Sequence, residues 1–309
     1  MKKVLITGVA GFIGSNLAER LVGTRNRIIG IDNLAYGVRE QVPAGLEFHK
    51  LDIRSKKIYP LFKGVDTVFH LAAKNCIPDC QEDPVETADI NITGTINVFE
   101  AARRAAAGKV IYAESSAIYE GSSVFPTPES EAKPISAYAC SKLASSYFAA
   151  LYSRTYGIRT VGLRYFNVYG PRQDYRRSIP PVICAFIVAL LEGRRPVIYG
   201  TGRKRRDFIY VDDVNDFHLK VMDGPRADGH VYNVGYGKNY SVNEIYAAIK
   251  KLLNVKTAPR HAADLPCEAR VTLADITRAK KFGWRPKVGL EEGLRRSIDY
   301  IKNNVIQKE

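Results

Sequence analysis

The hydrophobic positions in the first half of the chain follow two alternating periods. Short apolar runs rich in β-branched residues predict strands, and most are separated by segments with the spacing of amphipathic helices. The predicted strands cover residues 4–7, 27–32, 46–51, 67–71, 109–113 and 160–164, and the predicted helices cover 12–21, 85–106 and 137–156. This alternation predicts an α/β fold with a doubly wound parallel sheet.

The alternation weakens from about Pro171 onward, where prolines mark several loops. Helical patterns recur at residues 179–191, 242–252 and 290–301, with short strands between them. We therefore predict two lobes. The first is a dinucleotide-binding domain over residues 1–168, with a returning strand near 231–236. The second is a smaller mixed α/β lobe over 169–309 that mainly binds the substrate.

Length and composition narrow the class of protein. A chain of 309 residues can bury a full core. No apolar stretch approaches the ~20 residues needed to span a bilayer, and Met1-Lys2-Lys3 runs directly into the first predicted strand. We therefore expect a cytoplasmic protein. The five cysteines are odd in number and contain no Cys-x-x-Cys pair, which favours free thiols over disulfides or a metal site.

The net charge of +14 is compatible with nucleic acid, an anionic membrane surface or a polyanionic small substrate. The densest basic cluster, Arg203-Lys-Arg-Arg206, precedes a strand predicted at 207–211, and such clusters commonly form a solvated face. No nucleic-acid-binding module is recognisable. We expect the positive charge to serve a diphosphate, with neither nucleic acid nor membrane as a partner.

A glycine-rich turn, Gly8-Val-Ala-Gly11-Phe-Ile-Gly14, follows the first predicted strand. Gly8 permits the tight turn, Gly11 lets the backbone approach a phosphate, and Gly14 allows close packing of helix on strand. The amino terminus of the next helix then faces a pyrophosphate. Asp32 ends the second strand, where a carboxylate can bind both ribose hydroxyls and repel a 2′-phosphate. The sequence therefore predicts NAD rather than NADP.

Tyr138 and Lys142 lie one helical turn apart in Tyr-Ala-Cys-Ser-Lys. An ammonium at this spacing can lower the pKa of the phenol, so that the tyrosine can act as an acid–base group. Together with a dinucleotide-binding turn, the pair predicts redox chemistry on an alcohol.

Further segments extend this pattern along the chain. They are Thr7-Gly-x-x-Gly-Phe-Ile-Gly14, Asp32-Asn-Leu34, Asp52-Ile53, His70-Leu-Ala-Ala73, Asn91-x-x-Gly-Thr95, Ser115-Ser-Ala-Ile-Tyr119, Tyr138-x-x-x-Lys142, Leu163-Arg-Tyr-Phe-Asn167, Tyr169-Gly-Pro-Arg172 and Arg206-Asp-Phe-Ile-Tyr-Val-Asp-Asp213. In this order they resemble the extended short-chain dehydrogenase/reductases that act on nucleotide sugars, most of all the UDP-galactose (UDP-glucose) 4-epimerases. The resemblance runs from Lys3 to about Tyr300 and implies a Rossmann-like fold and NAD.

The resemblance implies a role for each matching residue. Tyr138 would take the proton of the sugar 4-hydroxyl, Lys142 would also bind the nicotinamide ribose, and Ser115 would hydrogen-bond the same hydroxyl. The implied cofactor-binding residues are Gly8, Gly11, Phe12, Ile13, Gly14, Asp32, Asn33, Asp52, Ile53, Leu71, Ala72, Ala73, Asn91, Tyr138 and Lys142. The implied substrate-binding residues are Ser115, Ser116, Tyr138, Asn167, Arg206 and Arg270.

A second diphosphate-binding arginine is harder to place. Members of the family tend to carry Arg-x-Gly-Asp before the Ala-Asp of the next segment, which is Ala274-Asp275 here. Glu268 lies at the distance from Asp275 that the acidic residue of this motif has, but no arginine lies three residues before Glu268. Arg260 and Arg270 therefore both remain candidates for this contact.

The residues after Ser115 separate the reactions of the family. Sugar-nucleotide 4,6-dehydratases carry Asp-Glu there, whereas this chain carries Ser116 and Ala117. Without that acid, the resemblance favours 4-epimerisation of a UDP-hexose in galactose metabolism, with UDP-glucose, UDP-galactose and their N-acetyl forms as substrates. A uronate epimerase, a decarboxylase and a noncatalytic dinucleotide- or nucleic-acid-binding protein are the alternatives. Family members pair the helices predicted at 85–106 and 137–156 across a twofold axis, which predicts a homodimer.

Overall fold

The computed structural model describes residues 1–177, 179–264 and 269–306. In these ranges the strands are β1 (Lys3–Thr7), β2 (Arg27–Asp32), β3 (Glu47–Lys50), β4 (Thr67–His70), β5 (Lys109–Ser115), β6 (Arg159–Tyr165), β7 (Val168–Tyr169), β8 (Val197–Tyr199), β9 (Arg205–Asp207), β10 (Ile209–Tyr210), β11 (His230–Val234), β12 (Asn239–Ser241) and β13 (Arg260–Ala262). The α-helices are α1 (Phe12–Val22), α2 (Ile77–Glu82), α3 (Pro84–Ala88), α4 (Gly94–Arg104), α5 (Ala137–Tyr156), α6 (Val182–Leu191), α7 (Val211–Asp223), α8 (Val242–Leu253), α9 (Thr277–Lys281) and α10 (Leu290–Asn304). Short 3₁₀ helices cover Arg39–Gln41, Lys56–Phe62, Ser116–Tyr119 and Pro225–Ala227.

Seven parallel strands form the main sheet in the order β11-β6-β5-β4-β1-β2-β3. This confirms the predicted α/β fold with a doubly wound parallel sheet. The strand order reverses beside β1, whose neighbours are β2 and β4. In such sheets a ligand binds outside the carboxyl ends of the strands at this reversal, so the topology directs attention to the turns after β1, β2 and β4.

Alternate residues of the central strands enter two separate apolar layers. Val4 and Ile6 of β1 pack with Leu17 of α1 and Phe217 of α7 on one face of the sheet. Leu5 packs on the other face with residues of α4 and α5, including Val98, Phe99 and Ala149. Since successive side chains of a strand point to opposite faces, the almost continuous apolar runs reflect a sheet that is covered on both sides.

The structure confirms one predicted helix residue for residue and divides another. Helix α5 begins after Ser136, whose Oγ accepts the Ala139 N–H at 3.1 Å, and it ends at Gly157 in the left-handed region. The helix predicted over 85–106 consists of α3, a π-helical turn over Asp89–Thr93, and α4. The strand predicted over 207–211 is also divided, because β9 ends at Asp207 and α7 already begins at Val211.

The second half of the chain builds a separate apolar cluster from α6, α8 and α10, with Phe186, Ile187, Ile249 and Leu294 at its centre. Short pairs β7–β10, β9–β12 and β8–β13 surround it. Strand β11 leaves this half and pairs in parallel with β6 of the main sheet. None of the helices within the described ranges is long and apolar enough to cross a membrane.

Candidate active site

A single cavity of about 1210 Å³ collects nearly all of the predicted site residues. It lies at the carboxyl ends of the central strands, and residues of α6, β8 and β9 form its other wall. The predicted residues that line it are Gly8, Gly11, Phe12, Ile13, Gly14, Asp32, Asn33, Asp52, Ile53, Leu71, Ala72, Ala73, Ser115, Ser116, Tyr138, Lys142, Asn167 and Arg206. Asn91 and Arg270 are not among the described lining residues.

The glycine-rich turn fits an anionic group. Gly8 has a φ of +74°, and a Cβ there would lie 2.7 Å from the Ala72 nitrogen. A Cβ on Gly14 would lie 2.1 Å from the Gly8 oxygen, so larger residues are excluded from both positions. Helix α1 begins at Phe12 without a side-chain cap, and its first turn carries no acidic residue. The N–H groups of that turn and the helix dipole therefore favour a phosphate at this end of the cavity.

Asp32 is held rigidly at the end of β2. Its two carboxylate oxygens accept the N–H groups of Ala10 at 3.0 Å and Leu34 at 2.8 Å. Burial raises the pKa of Asp32, while these two hydrogen bonds lower it. An oriented carboxylate beside the glycine-rich turn can accept hydrogen bonds from vicinal hydroxyl groups, as the ribose of a dinucleotide requires.

Asn33 and Asp52 form the neighbouring part of the wall. Asn33 donates a hydrogen bond of 3.0 Å to Asp52, and Arg54 pairs with the same carboxylate at 2.8 Å. The hydrogen bonds from Arg54 hold the pKa of Asp52 at about 2, although partial burial opposes this shift. Asp52 is therefore ionised at neutral pH and already engaged by Arg54.

Ser115, Tyr138 and Lys142 line the same cavity as the glycine-rich turn. Ser115 ends β5, where its Oγ accepts the Ala117 N–H at 3.2 Å, and its side chain lowers the pKa of Tyr138. Tyr138 and Lys142 lie in the first two turns of α5. The fold therefore brings the three predicted catalytic residues together from two separate elements.

Burial and nearby groups shift the pKa values of both Tyr138 and Lys142. Burial raises the pKa of Tyr138 to about 12, and the Ser115 side chain and the positive charge of Arg177 oppose this rise. Burial lowers the pKa of Lys142 itself to about 8, and its charge acts on the buried His70. Arg177, from the loop before α6, is thus a cation that opposes the rise in the tyrosine pKa, and sequence spacing gave no reason to select it.

A buried ion pair supports β5 just before Ser115. Glu114 lies opposite Arg164 in the pairing of β5 with β6, and the Arg164 Nε donates to Glu114 at 2.7 Å. Arg164 also donates to the Tyr119 hydroxyl at 2.6 Å, and that hydroxyl donates to Asn233 of β11 at 2.7 Å. The network joins three strands behind the cavity. Charged residues inside otherwise apolar strands were the sequence signal for it.

Asn91 was predicted to contact the cofactor, but the structure places it behind the cavity wall. Its Oδ1 accepts the Lys74 N–H at 2.8 Å, and its Nδ2 donates to the Lys74 carbonyl at 2.9 Å and to Ser141 Oγ at 3.0 Å. Asn91 is fully buried in the π-helical turn. Both polar atoms of its carboxamide are engaged in these contacts, so Asn91 supports the wall of the cavity and does not line it.

The far end of the cavity is basic. Arg206 lines it from β9, and Arg260 lines it from β13, which pairs with β8 so that Arg260 lies opposite Val197. Arg260 and Arg270 are both exposed, and the Arg270 carbonyl accepts the Arg205 N–H at 3.0 Å. Of the two, only Arg260 is among the described residues that line the cavity, although Arg270 directly follows the lining residue Ala269. Glu268 and Cys267 lie outside the described residues, and the other four cysteines are free thiols.

Asn167 lies between the two ends of the cavity. Its Nδ2 donates to the Asp207 carbonyl at 3.0 Å and to Thr272 Oγ1 at 3.1 Å. These bonds leave the amide oxygen oriented by the protein. Lys204, Arg194 and Arg195 also line the cavity, and they were not selected from the sequence.

Comparison with known proteins agrees with this arrangement. The model of the NAD dependent epimerase/dehydratase family matches residues 4–235. Three solved structures cover 98% of this chain.

The UDP-glucose 4-epimerase of Thermotoga maritima, solved with UDP-glucose, is 34% identical, has a TM-score of 0.95 and is covered over 99% of its length. The UDP-N-acetylglucosamine 4-epimerase of Methanobrevibacter ruminantium is 33% identical, with a TM-score of 0.94 and 99% coverage. The UDP-glucose 4-epimerase of Thermus thermophilus, solved with NAD, is 32% identical, with a TM-score of 0.92 and 100% coverage. The chain therefore belongs to the NAD dependent epimerase/dehydratase family, and its cofactor is NAD.

Proposed function

We propose that the protein interconverts the C4 epimers of a UDP-hexose, with UDP-glucose and UDP-galactose and their N-acetyl forms as substrates. The observation that carries this proposal is the meeting of Ser115, Tyr138 and Lys142 in one cavity with the glycine-rich turn and Asp32. Three solved relatives that are 4-epimerases of UDP-sugars support it.

In this proposal the glycine-rich turn binds the pyrophosphate of NAD and Asp32 binds its adenine ribose. Bound NAD would supply reversible hydride transfer to and from the sugar C4, with no net change in the cofactor. Lys142 binds the nicotinamide ribose. Arg206 and Arg260 bind the diphosphate of the substrate, because guanidinium groups match phosphate oxygens.

Tyr138 moves the proton. As C4 loses its hydrogen as hydride, the hydroxyl proton passes to the Tyr138 oxygen and a C4 carbonyl forms; the reverse transfer on the opposite face gives the epimer. Ser115 hydrogen-bonds the same sugar oxygen. With a pKa of about 12, Tyr138 needs assistance to lose its proton at neutral pH, and both Ser115 and Arg177 provide it by favouring the phenolate.

Elimination of water is a less suitable reaction for this site. Ser116 and Ala117 carry no carboxyl group, and the carboxylate of Glu114 is buried against Arg164. The sugar would therefore lack the acid that the dehydratases hold at these two positions.

We further propose that the protein is a homodimer. Val85 of α3 and Tyr147 and Leu151 of α5 are large apolar side chains on neighbouring helices, and they are exposed by 78%, 68% and 42%. A second copy that packs its α5 against this surface would cover them.

The function is tested by incubating the NAD-loaded protein with one nucleotide sugar at a time and resolving the C4 epimers that form. The substrates are UDP-glucose, UDP-galactose and their N-acetyl forms. We expect an equilibrium mixture from at least one pair, with no accumulation of NADH in solution. UDP-glucuronate is the comparison substrate. The proposal would be contradicted if the protein converted only UDP-glucuronate or released carbon dioxide from it. A 4-keto-6-deoxy product or the release of stoichiometric NADH would also contradict it.

A further inference from the structure

Glu120 lines the cavity but has no part in the chemistry described above. It follows the 3₁₀ helix Ser116–Tyr119, directly after the turn of Ser115. Its Oε2 accepts the backbone N–H of Ser136 at 3.2 Å, and Ser136 caps the helix that carries Tyr138. The carboxylate is therefore held between the two elements that supply the catalytic serine and tyrosine.

The other carboxylate oxygen of Glu120 is buried and has no hydrogen-bond partner among the described residues. The side-chain oxygen of Gln173, which lines the same cavity, is also buried and has no hydrogen-bond partner among the described residues. The amide nitrogen of Gln173 donates to the Val168 carbonyl at 2.9 Å. Buried acceptors in native proteins nearly always have a partner, and leaving one unsatisfied is costly. Two such acceptors at one cavity indicate a ligand that is rich in donor groups, as a sugar is.

Glu120 lies at the reacting end of the cavity, because it follows the 3₁₀ helix that begins after Ser115 and accepts a hydrogen bond from Ser136, two residues before Tyr138. Arg177 also lines the cavity, and its guanidinium donates to the Ile179 carbonyl at 3.1 Å and to Asn75 Oδ1 at 3.4 Å. The diphosphate-binding arginines belong to the far, basic end. Glu120 therefore faces the sugar half of a nucleotide sugar and not its nucleotide half.

We propose that Glu120 is a specificity-determining residue: it accepts a hydrogen bond from a hydroxyl or amide N–H of the sugar and disfavours a sugar that carries a carboxylate. This inference rests on the proposed function and narrows its substrate class. Two carboxylates in one partly dehydrated cavity repel each other, whereas hydroxyl and acetamido groups are donors to Glu120. Uncharged UDP-hexoses and UDP-N-acetylhexosamines are then preferred over UDP-hexuronates.

The test compares kcat/KM for UDP-glucose and UDP-glucuronate in the NAD-loaded wild-type protein and in Glu120→Gln. This variant keeps the shape and one acceptor oxygen but removes the charge. We expect the ratio of kcat/KM for the two substrates to shift toward UDP-glucuronate by at least ~10-fold. Glu131→Gln is the matched control, since Glu131 is a half-buried glutamate that accepts a hydrogen bond from Ser122 at 3.1 Å and is not among the described lining residues. Its ratio should equal that of the wild type.

An unchanged ratio in Glu120→Gln would overturn the inference, because the carboxylate would then only hold Ser136. If this variant does not fold, Glu120→Asp keeps the charge on a shorter side chain and should preserve the preference for UDP-glucose while losing kcat/KM for it. Calorimetric affinities for the two nucleotide sugars separate the two proposals. A protein without 4-epimerase activity refutes the proposed function, whereas equal shifts in both affinities on Glu120→Gln refute only the role of Glu120.

Discussion

The Asn91 amide donates a hydrogen bond of 3.0 Å to the Ser141 hydroxyl. Ser141 in turn donates to the Tyr138 carbonyl at 2.8 Å, and Asn91 is fixed to the backbone of Lys74. The segment after β4 is therefore joined to the first turn of α5 behind the cavity. Asn91, which is not among the described lining residues of the cavity, thus helps to position the Tyr138 phenol.

Removing the phenolic oxygen should abolish turnover without unfolding the protein. Tyr138→Phe keeps the ring but loses the proton acceptor, so we expect kcat to fall by at least ~10²-fold while NAD affinity and the thermal midpoint remain near wild type. Tyr119→Phe is the contrasting variant. Its hydroxyl bonds Arg164 and Asn233 in the buried network, so its loss should cost ~1–3 kcal/mol of unfolding free energy. A nearly active Tyr138→Phe protein would refute the assignment of the base.

Asp32 should make NAD the tighter cofactor. A 2′-phosphate beside this carboxylate would cost roughly 1–4 kcal/mol at intermediate dielectric, which corresponds to about tenfold or more in affinity. Titration of the wild-type protein with NAD and NADP measures the preference, and Asp32→Asn should reduce it. Equal wild-type affinities would mean that the carboxylate does not face the ribose.

Arg260 and Arg270 should differ in their effect on substrate binding. Arg260 lines the cavity and Arg270 does not, so Arg260→Ala should raise the KM for the UDP-sugar and Arg270→Ala should leave it unchanged. A charge-assisted contact to phosphate contributes about 1.5–3 kcal/mol, or at least tenfold in KM. Arg206→Ala should behave like Arg260→Ala, with little change in NAD affinity. A larger effect at Arg270 would reverse the assignment.

Aspartates introduced on the exposed apolar face of α5 should dissociate the proposed homodimer. We expect the wild-type protein to sediment as a dimer at micromolar concentration and the double variant Tyr147→Asp, Leu151→Asp to sediment as a monomer. Val124→Asp changes a comparably exposed apolar residue in a loop and should leave the dimer intact. Sedimentation of the wild-type protein as a monomer would refute the proposed assembly.

Acid should destabilise the protein partly through two buried histidines. Burial lowers the pKa of His70 and of His218 to about 3, against an ordinary value of 6.5. The unfolded chain therefore binds more protons than the folded one between these values, and stability is lost as pH falls below 6.5. Each histidine contributes ~1.4 kcal/mol per pH unit in this window.

Asp207, whose pKa burial raises to about 6, has the opposite effect on stability in part of this pH window. A variant of one histidine is therefore needed to isolate the histidine contribution. His218→Gln should reduce the slope of unfolding free energy against pH between about 6.5 and 5 by ~1.4 kcal/mol per unit. Denaturant titrations at several pH values measure this slope. Titration of the His218 imidazole signal above about pH 5 in the folded protein would contradict the prediction.

The parts of this protein that follow from local rules were predictable. Helix α5 has a serine cap and a terminal glycine, so its bounds could be read directly. The parts that depend on long-range pairing were not. Arg260 reaches the cavity only because β13 lies beside β8, and nothing in the spacing distinguishes it from Arg270. Motif position also placed Asn91 near the cofactor, but could not show that the Lys74 backbone occupies its carboxamide.

The electrostatics of Tyr138 show a second limit of sequence reasoning. The four-residue spacing predicts Lys142 near the tyrosine along α5, but it could not show that burial lowers the pKa of that ammonium to about 8. Nor could it show that Arg177, 39 positions after Tyr138, adds a positive charge that favours the phenolate. Burial and loop placement decide such effects, and neither is encoded in a short motif.

The pairing of β11 with β6 has a consequence for how the chain folds. Residues 230–234 must return across about sixty positions of the second half before the sheet acquires its last strand. An amino-terminal fragment that stops at residue 168 would leave β6 as an open edge with unpaired backbone groups, which invites pairing with other chains. We therefore expect the two halves to complete folding together, and a nascent chain to be most prone to aggregation before β11 is synthesised.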